Sequence, residues 1–221
     1  MHELFCTVDV VLLTLKAGAL QVALLKRDRP PFQDVAALPG GFIHVDEDID
    51  ARHAALRVLK EKTGIDVPYL EQLATFSGPK RDPRGWSVAI AYYALVSTDV
   101  IERAGHAAIA MHAVDQELDL PFDHRGIIDT AVARLRSKSQ YSSLPCYLAG
   151  DTFTLPRLQR VYEALMGETL NKVSFRRKIN EMGMLEPLDG QLESTGPHRP
   201  AQLYRLKAAY REQLMMVERG L

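Results

Sequence analysis

The stretch PGGFIHVDEDIDARHAALRVLKEKTGI, residues 39–65, decides the fold. Gly40 and Gly41 let the backbone turn tightly and approach another group with no Cβ in the way. An acidic loop follows, carrying Asp46, Glu47, Asp48 and Asp50. Residues 50–64 then read as a helix. Ala54, Val58 and Glu61 stack on one of its faces, Leu56 and Leu59 on another, and Gly64 stands at the C′ position that ends it.

Outward from this segment the chain is rich in strands. Residues 7–15 (TVDVVLLTL) and 20–25 (LQVALL) are β-prone runs joined by Lys16-Ala17-Gly18, a turn signal, and read as a buried hairpin. Pro30-Pro31 make residues 27–34 a loop. Residues 70–77, 86–96 and 107–113 are further strands, and 123–137 is a helix with Ile127, Ala131 and Leu135 at helical spacing. Asp123 reads as its N-cap. Between two strands, Lys80-Arg81-Asp82-Pro83-Arg84-Gly85-Trp86 gathers cations and an aromatic. Guanidinium groups pair bidentately with phosphate, and an indole stacks on a base; the plainer reading is a solvated basic turn with Trp86 anchoring a strand. His124 either meets a phosphate or ribose or faces solvent.

Residues 39–65 resemble a Nudix box: a glycine, five residues, a glutamate, seven residues, then Arg-Glu-aliphatic-x-Glu-Glu-x-Gly-aliphatic. Arg57, Leu59, Glu61, Gly64 and Ile65 fit it, but Val58 replaces one glutamate, Lys62 replaces another, and ten positions instead of eight separate Glu47 from Arg57. Nudix chemistry hydrolyses a pyrophosphate with divalent cations that neutralise charge and activate water. Such hard cations take several oxygen ligands. Val58 offers none, and Lys62 puts an ammonium where a ligand belongs. At a few ångströms and an effective dielectric of about 20 that repulsion is worth several kcal/mol. The resemblance implies an α/β/α sandwich around a mixed sheet, with the hydrolytic machinery lost: no catalytic and no metal-ligating residues.

The 221 residues suit one large or two small domains, and 47% hydrophobic residues is ample for a core. Cys6 and Cys146 match no metal or redox spacing and read as reduced thiols of a cytoplasmic protein. No signal peptide is evident at Met1-His2-Glu3, and no stretch approaches the roughly 20 apolar residues of a membrane span. A net charge of −1 names no partner, but residues 152–221 carry +3 and the rest −4. That split suggests two modules, the second facing a polyanion.

The second module supports that view. Residues 141–153 carry Pro, Gly and Ser with little periodicity and read as a linker. Thr154 is an N-cap, and Leu155, Leu158, Val161, Tyr162 and Leu165 form an apolar stripe that stops at Gly167. Residues 168–171 are a turn. Residues 172–182 (KVSFRRKINEM) form a helix that buries Phe175, Ile179 and Met182 and closes at Gly183. Residues 184–187 and 203–206 look like short strands around a polar loop, 189–200. Helix, turn, basic helix and hairpin is a winged helix-turn-helix order. An α-helix fits the major groove, where Arg and Asn read guanine and adenine edges, and a wing arginine enters a narrow minor groove. The plainer alternative is a solvated basic helix on a dimerisation domain.

Taken together, the damaged box, the Glu61-Lys62-Thr63 triplet, FRRK at 175–178 and RPAQLY at 199–204 resemble the NrtR family, Nudix-related transcriptional regulators of NAD biosynthesis. Residues 38–43, 84–88 and 122–124 resemble Nudix proteins that recognise ADP-ribose. The wing departs from the more basic run expected there. The resemblance implies an effector-binding domain over 1–140, a linker at 141–153 and a DNA-binding winged helix over 154–221. It implies an effector pocket built from Arg27, Gly40, Gly41, Phe42, Arg57, Glu61, Lys80, Arg81, Arg84, Trp86 and His124, with ADP-ribose as effector and no cofactor required. DNA contacts fall on Lys172, Ser174, Arg176, Arg177, Lys178, Asn180, His198 and Arg199. The partner is a roughly palindromic operator bound by a homodimer that represses NAD-metabolism genes, with no membrane association. The rival reading is a working ADP-ribose pyrophosphatase in which Asp46, Glu47, Asp48, Asp50 and Glu61 make a rearranged metal site. A third is a scaffold that binds neither nucleotide nor DNA.

Overall fold

The computed structural model describes residues 4–105, 109–194 and 200–212. They fall into two compact units, the first up to Thr14 and from Leu20 to Arg134, the second Leu15–Ala19 and the residues from Leu135 on.

In the first unit, β1 (Phe5–Lys16), β2 (Ala19–Lys26), β3 (Ala36–Ala37), β4 (Gly40–Phe42), β5 (Tyr69–Asp82), β6 (Gly85–Leu95) and β7 (Ile109–Ala113) form one sheet in the order β3-β2-β1-β6-β5, with β4 on β1 and β7 on β2. Strand β1 runs parallel to β6, from Phe5 opposite Ser87 to Leu13 opposite Leu95, and antiparallel to β4. The sheet is therefore mixed. Its central strand is covered on both faces, so β1 reads as an almost continuous apolar run.

Alternation along β1 divides its side chains between those faces. Val8, Val10 and Leu12 join a core cluster with Ala54, Ala55, Val58 and Leu59 of helix α1 (Ala51–Thr63). Each large side chain buried there contributes roughly 1.5–3 kcal/mol, and Leu59→Ala would cost about 2–5 kcal/mol. Helix α1 starts where Asp50 accepts from the His53 amide at 2.7 Å and stops at Gly64, whose φ of 69° is left-handed. The opposite parity places Asp9 beside His124, the first residue of helix α3 (His124–Ser139).

Two sequence expectations change here. A short helix α2 (Thr98–Ala104) follows β6. Asp123 gives both carboxylate oxygens to Arg81, at 3.0 and 2.8 Å, in place of the expected N-cap role.

The second unit contains α4 (Leu144–Ala149), β8 (Phe153–Thr154), α5 (Leu155–Met166), α6 (Lys172–Met182), β9 (Leu185–Glu193), β10 (Ala201–Leu206) and α7 (Ala208–Glu212), with the strands ordered β8-β10-β9. The expected linker differs: all six residues of α4 are buried, and the Tyr162 hydroxyl donates to the Ser142 carbonyl at 3.2 Å. Strand β9 also extends well into the stretch expected as loop. Thr154 caps α5 and Asn171 caps α6, and Gly167 and Gly183 end them in left-handed conformations. Among the described residues no helix is long and apolar enough to cross a membrane.

Candidate functional site

A cleft of about 380 Å³ opens in the first unit between the start of β1, the β4 turn and α1. Gly40 is required by its surroundings, because a Cβ there would stand 2.1 Å from Asp9 Oδ1. A Cβ on Gly41 would stand 3.0 Å from Val58 Cγ2. The glycine pair therefore admits two side chains of the protein itself to the cleft wall.

At its floor lies a buried polar cluster. Arg81 reaches Asp9 Oδ2 at 3.5 Å, holds Asp123 and donates to Ser87 Oγ at 3.2 Å. Burial works against the Arg81 cation, and Asp123 with Asp9 more than offsets it, raising its pKa. The Leu38 amide donates to His124 Nδ1 at 3.1 Å, so neutral His124 carries its proton on Nε2, 3.8 Å from Asp9 Oδ1. Burial, ahead of the nearby charges, pushes the His124 pKa down, which favours that neutral form.

Aromatic rings shape the rim. Phe32 and Phe122 meet edge to face at 5.0 Å, and the Arg27 guanidinium lies 4.9 Å from the Phe122 ring centre. Both phenylalanines hold left-handed φ angles, 60° and 57°, a strain of roughly 1–3 kcal/mol each that their packing must sustain. Arg84 covers Phe5 and Phe42 and is tied to Asp82 at 3.0 and 2.7 Å. Burial disfavours the Asp82 carboxylate, yet these bonds hold its pKa below the ordinary value.

Cations outnumber carboxylates along the lining, seven Lys and Arg against Asp9, Asp28, Glu61 and Asp82. Most are already paired. Lys26 meets Asp34, Arg29 meets Asp28, Arg57 meets Asp48 and Glu61, and Arg81 and Arg84 are engaged as above. Arg27 and Lys62 are left without a carboxylate partner among the described residues. Desolvation in the cleft lowers the Lys62 pKa, with Asp28 opposing.

Four of the five acidic residues that a rearranged metal site would use are bonded elsewhere, and the fifth, Asp46, is exposed on the loop. Asp48 accepts Arg57 Nε and NH2 at 2.8 and 2.7 Å and the His44 amide at 2.8 Å. Glu47 pairs with His44 at 3.1 Å, Asp50 caps α1, and Glu61 takes a bond from Arg57 at 3.3 Å. With Val58 apolar and Lys62 cationic, this donor set does not fit a divalent ion, and among the described residues no group of three or more His, Cys, Asp or Glu converges.

Of the residues expected in the pocket, Arg27, Gly40, Gly41, Phe42, Arg57, Glu61, Arg81, Arg84 and His124 line the cleft; Lys80 and Trp86 do not. Trp86 is 46% exposed beside buried Ser87, so strand alternation turns it to the other side. Asp9 and Lys62 are lining residues that the sequence reading did not select, and Phe122 joins them from the 122–124 stretch. A lone carboxylate inside TVDVVLL was the available signal for Asp9.

The second unit presents α6 as a basic surface. Its turn from α5 is latched by Gln159 donating to the Leu170 carbonyl at 2.9 Å and by Glu163 accepting the Leu170 amide at 3.0 Å. Phe175 packs edge to face on Tyr162, 5.5 Å between centres, and Ile179 and Met182 complete the buried stripe. Lys172, Ser174, Arg176, Arg177 and Asn180 are exposed, whereas Lys178 is half-buried at the stripe's edge. His198 and Arg199 lie outside the described residues.

Comparison with known proteins places these two units in sequence families. The NUDIX domain family matches residues 6–131, and the family described as NrtR DNA-binding winged helix domain matches residues 145–206. The ADPR responsive transcriptional repressor NtrR of Acinetobacter baylyi is 42% identical over 203 residues, 90% of this chain and 80% of its own. The crystal structure of Shewanella oneidensis NrtR complexed with a 27mer DNA is 37% identical with a TM-score of 0.89, covering 98% of this chain and 99% of that one. The NUDIX domain of the same Shewanella protein complexed with ADP ribose is 37% identical with a TM-score of 0.56, covering 61% and 90%.

Proposed function

We infer that this chain, which belongs to the NrtR family of Nudix-related transcriptional regulators, is an ADP-ribose-responsive repressor of NAD-metabolism genes. Its Nudix domain is the receptor and its winged helix is the operator-binding module. The observation that carries this reading is the cleft in which Arg27 and Lys62 have no carboxylate partner among the described residues, while two of the box glutamates have become Val58 and Lys62.

A diphosphate brings the negative charge that these two cations lack. Nudix hydrolases meet that charge with metal ions; here a fixed ammonium and guanidinium do so. The buried Asp9 carboxylate offers an acceptor for ribose hydroxyls, held in place by Arg81. With its surviving glutamate tied to Arg57, the cleft favours binding over turnover. Two chains acting as a dimer present two α6 helices to half-sites of a roughly palindromic operator. Nucleotide weakens operator binding only through unequal affinity for two states of the protein, and a coupling of about 2–3 kcal/mol gives roughly 30- to 150-fold.

Titration of ADP-ribose with excess chelator, and again with Mg²⁺, tests the receptor half of this reading. Binding should persist in chelator, and Lys62→Glu should weaken it roughly 10- to 150-fold, the range of one charge-assisted hydrogen bond. Binding that demands Mg²⁺, or robust release of AMP, would establish the pyrophosphatase reading instead.

A further inference from the structure

Helix α6 carries one side chain that its fold does not use. Val173 is 76% exposed, in the first turn of an otherwise polar outer face. The buried stripe is Phe175, Ile179 and Met182. At 3.6 residues per turn, Val173, Arg177 and Asn180 fall at i, i+4 and i+7 on the side directly away from that stripe, with Arg176 beside them. Val173 is therefore on the outermost line of the helix, among the groups best placed to meet a partner.

Among the described residues nothing rewards a valine there. A β-branched residue is a poorer helix former than alanine or leucine, and its methyls gain no burial. Helix initiation is handled by Asn171, whose side chain accepts from the Val173 and Ser174 amides at 3.0 and 3.1 Å. Among the described residues Arg177 meets Glu181, at 3.8 Å, and both side chains stay largely exposed. The face is thus two guanidinium groups and an amide around an isolated apolar patch. A protein partner of ordinary chemistry would not ask for that charge density, whereas duplex DNA does.

We propose that Val173 is a base-reading residue that packs on the C5-methyl of a thymine in the operator. The major groove admits a helix, and the thymine methyl is the apolar group displayed on its base edges. First-turn residues of a recognition helix are those that reach base edges. The two Val173 methyls are held by a stiff χ1, so little rotamer freedom is lost on docking. Arg177 and Asn180 then serve flanking purine edges on the same line. This inference rests on the repressor reading above and adds a specificity determinant to it.

The full-length chain should first select a duplex from a random pool. Each thymine of that duplex is then replaced in turn by deoxyuridine, which removes the methyl and keeps the hydrogen-bonding edge. At one or more positions the wild type should lose affinity about fourfold, the factor that burial of one methyl-sized group is worth. Val173→Ala, which keeps a good helix former at an exposed site, should bind the thymine duplex more weakly and be indifferent to the replacement at those positions. A wild type that never distinguishes thymine from uracil, or an alanine variant that distinguishes them equally well, overturns the proposal while leaving operator binding intact. Recovery of no duplex at all overturns the repressor reading and this inference with it.

Discussion

Arg57 grips Asp48 with two nitrogens at 2.8 and 2.7 Å, and the Asp48 carboxylate is wholly covered. The two extra residues of the acidic loop let Asp48 fold back onto α1, where it also accepts the His44 amide. The loop that looked like a store of metal ligands is thus folded around its own arginine.

The Arg57 hydrogen bonds, against the opposing effect of desolvation, hold the Asp48 carboxyl well below the ordinary carboxylate range. A depressed pKa stabilises the folded chain fully above the unfolded value of about 4 and loses that effect as pH falls below it. Asp48→Asn should therefore lower the melting temperature at neutral pH and narrow the gap between variant and wild type in acid. Equal melting temperatures at neutral pH would count against this role.

His124 titrates on the other side of the scale. Its folded pKa is depressed by burial, with Asp9 and Asp123 opposing and Arg81 and Arg27 reinforcing. The unfolded chain then holds the proton more readily below about pH 6.5, so stability falls as pH drops through the window beneath that value. Denaturant midpoints measured across this range should decline for the wild type and decline less for His124→Ala. The alanine variant should also lose about 1–3 kcal/mol at neutral pH, because the buried Leu38 amide loses its acceptor. An unchanged pH slope would rule out this histidine as its source.

For operator binding, Arg177→Ala should cost roughly 1–3 kcal/mol, about 5- to 150-fold, if the guanidinium reads a guanine edge. ADP-ribose binding should be unaffected. Operator affinity should also fall by orders of magnitude between about 50 and 200 mM salt if about 6–10 phosphates are neutralised. A flat salt response in a gel-shift titration would contradict the electrostatic role given to α6.

Much of this was legible because it is local. The Thr154 cap, the glycine stops at 64, 167 and 183, and the buried stripe of α6 follow from spacing and side-chain chemistry within a few residues. The cleft was less so, since it assembles residues distant along the chain. Asp9 and His124, or Arg81 and Asp123, meet only once β1, β5 and α3 are in register. Trp86 was misplaced by a single step of strand alternation, and the buried helix α4 was hidden because all its residues face inward, leaving no amphipathic period to detect. Val173 gives no signal in the sequence, because a single apolar residue off the buried stripe breaks no period.

Val58 is 2% exposed and packed among Val8, Ala54 and Leu59. A glutamate put back at that position would enter an apolar environment, opposite a glycine spaced for a branched hydrocarbon and beside an arginine already engaged. A carboxylate at this one position thus damages packing before it can supply a ligand.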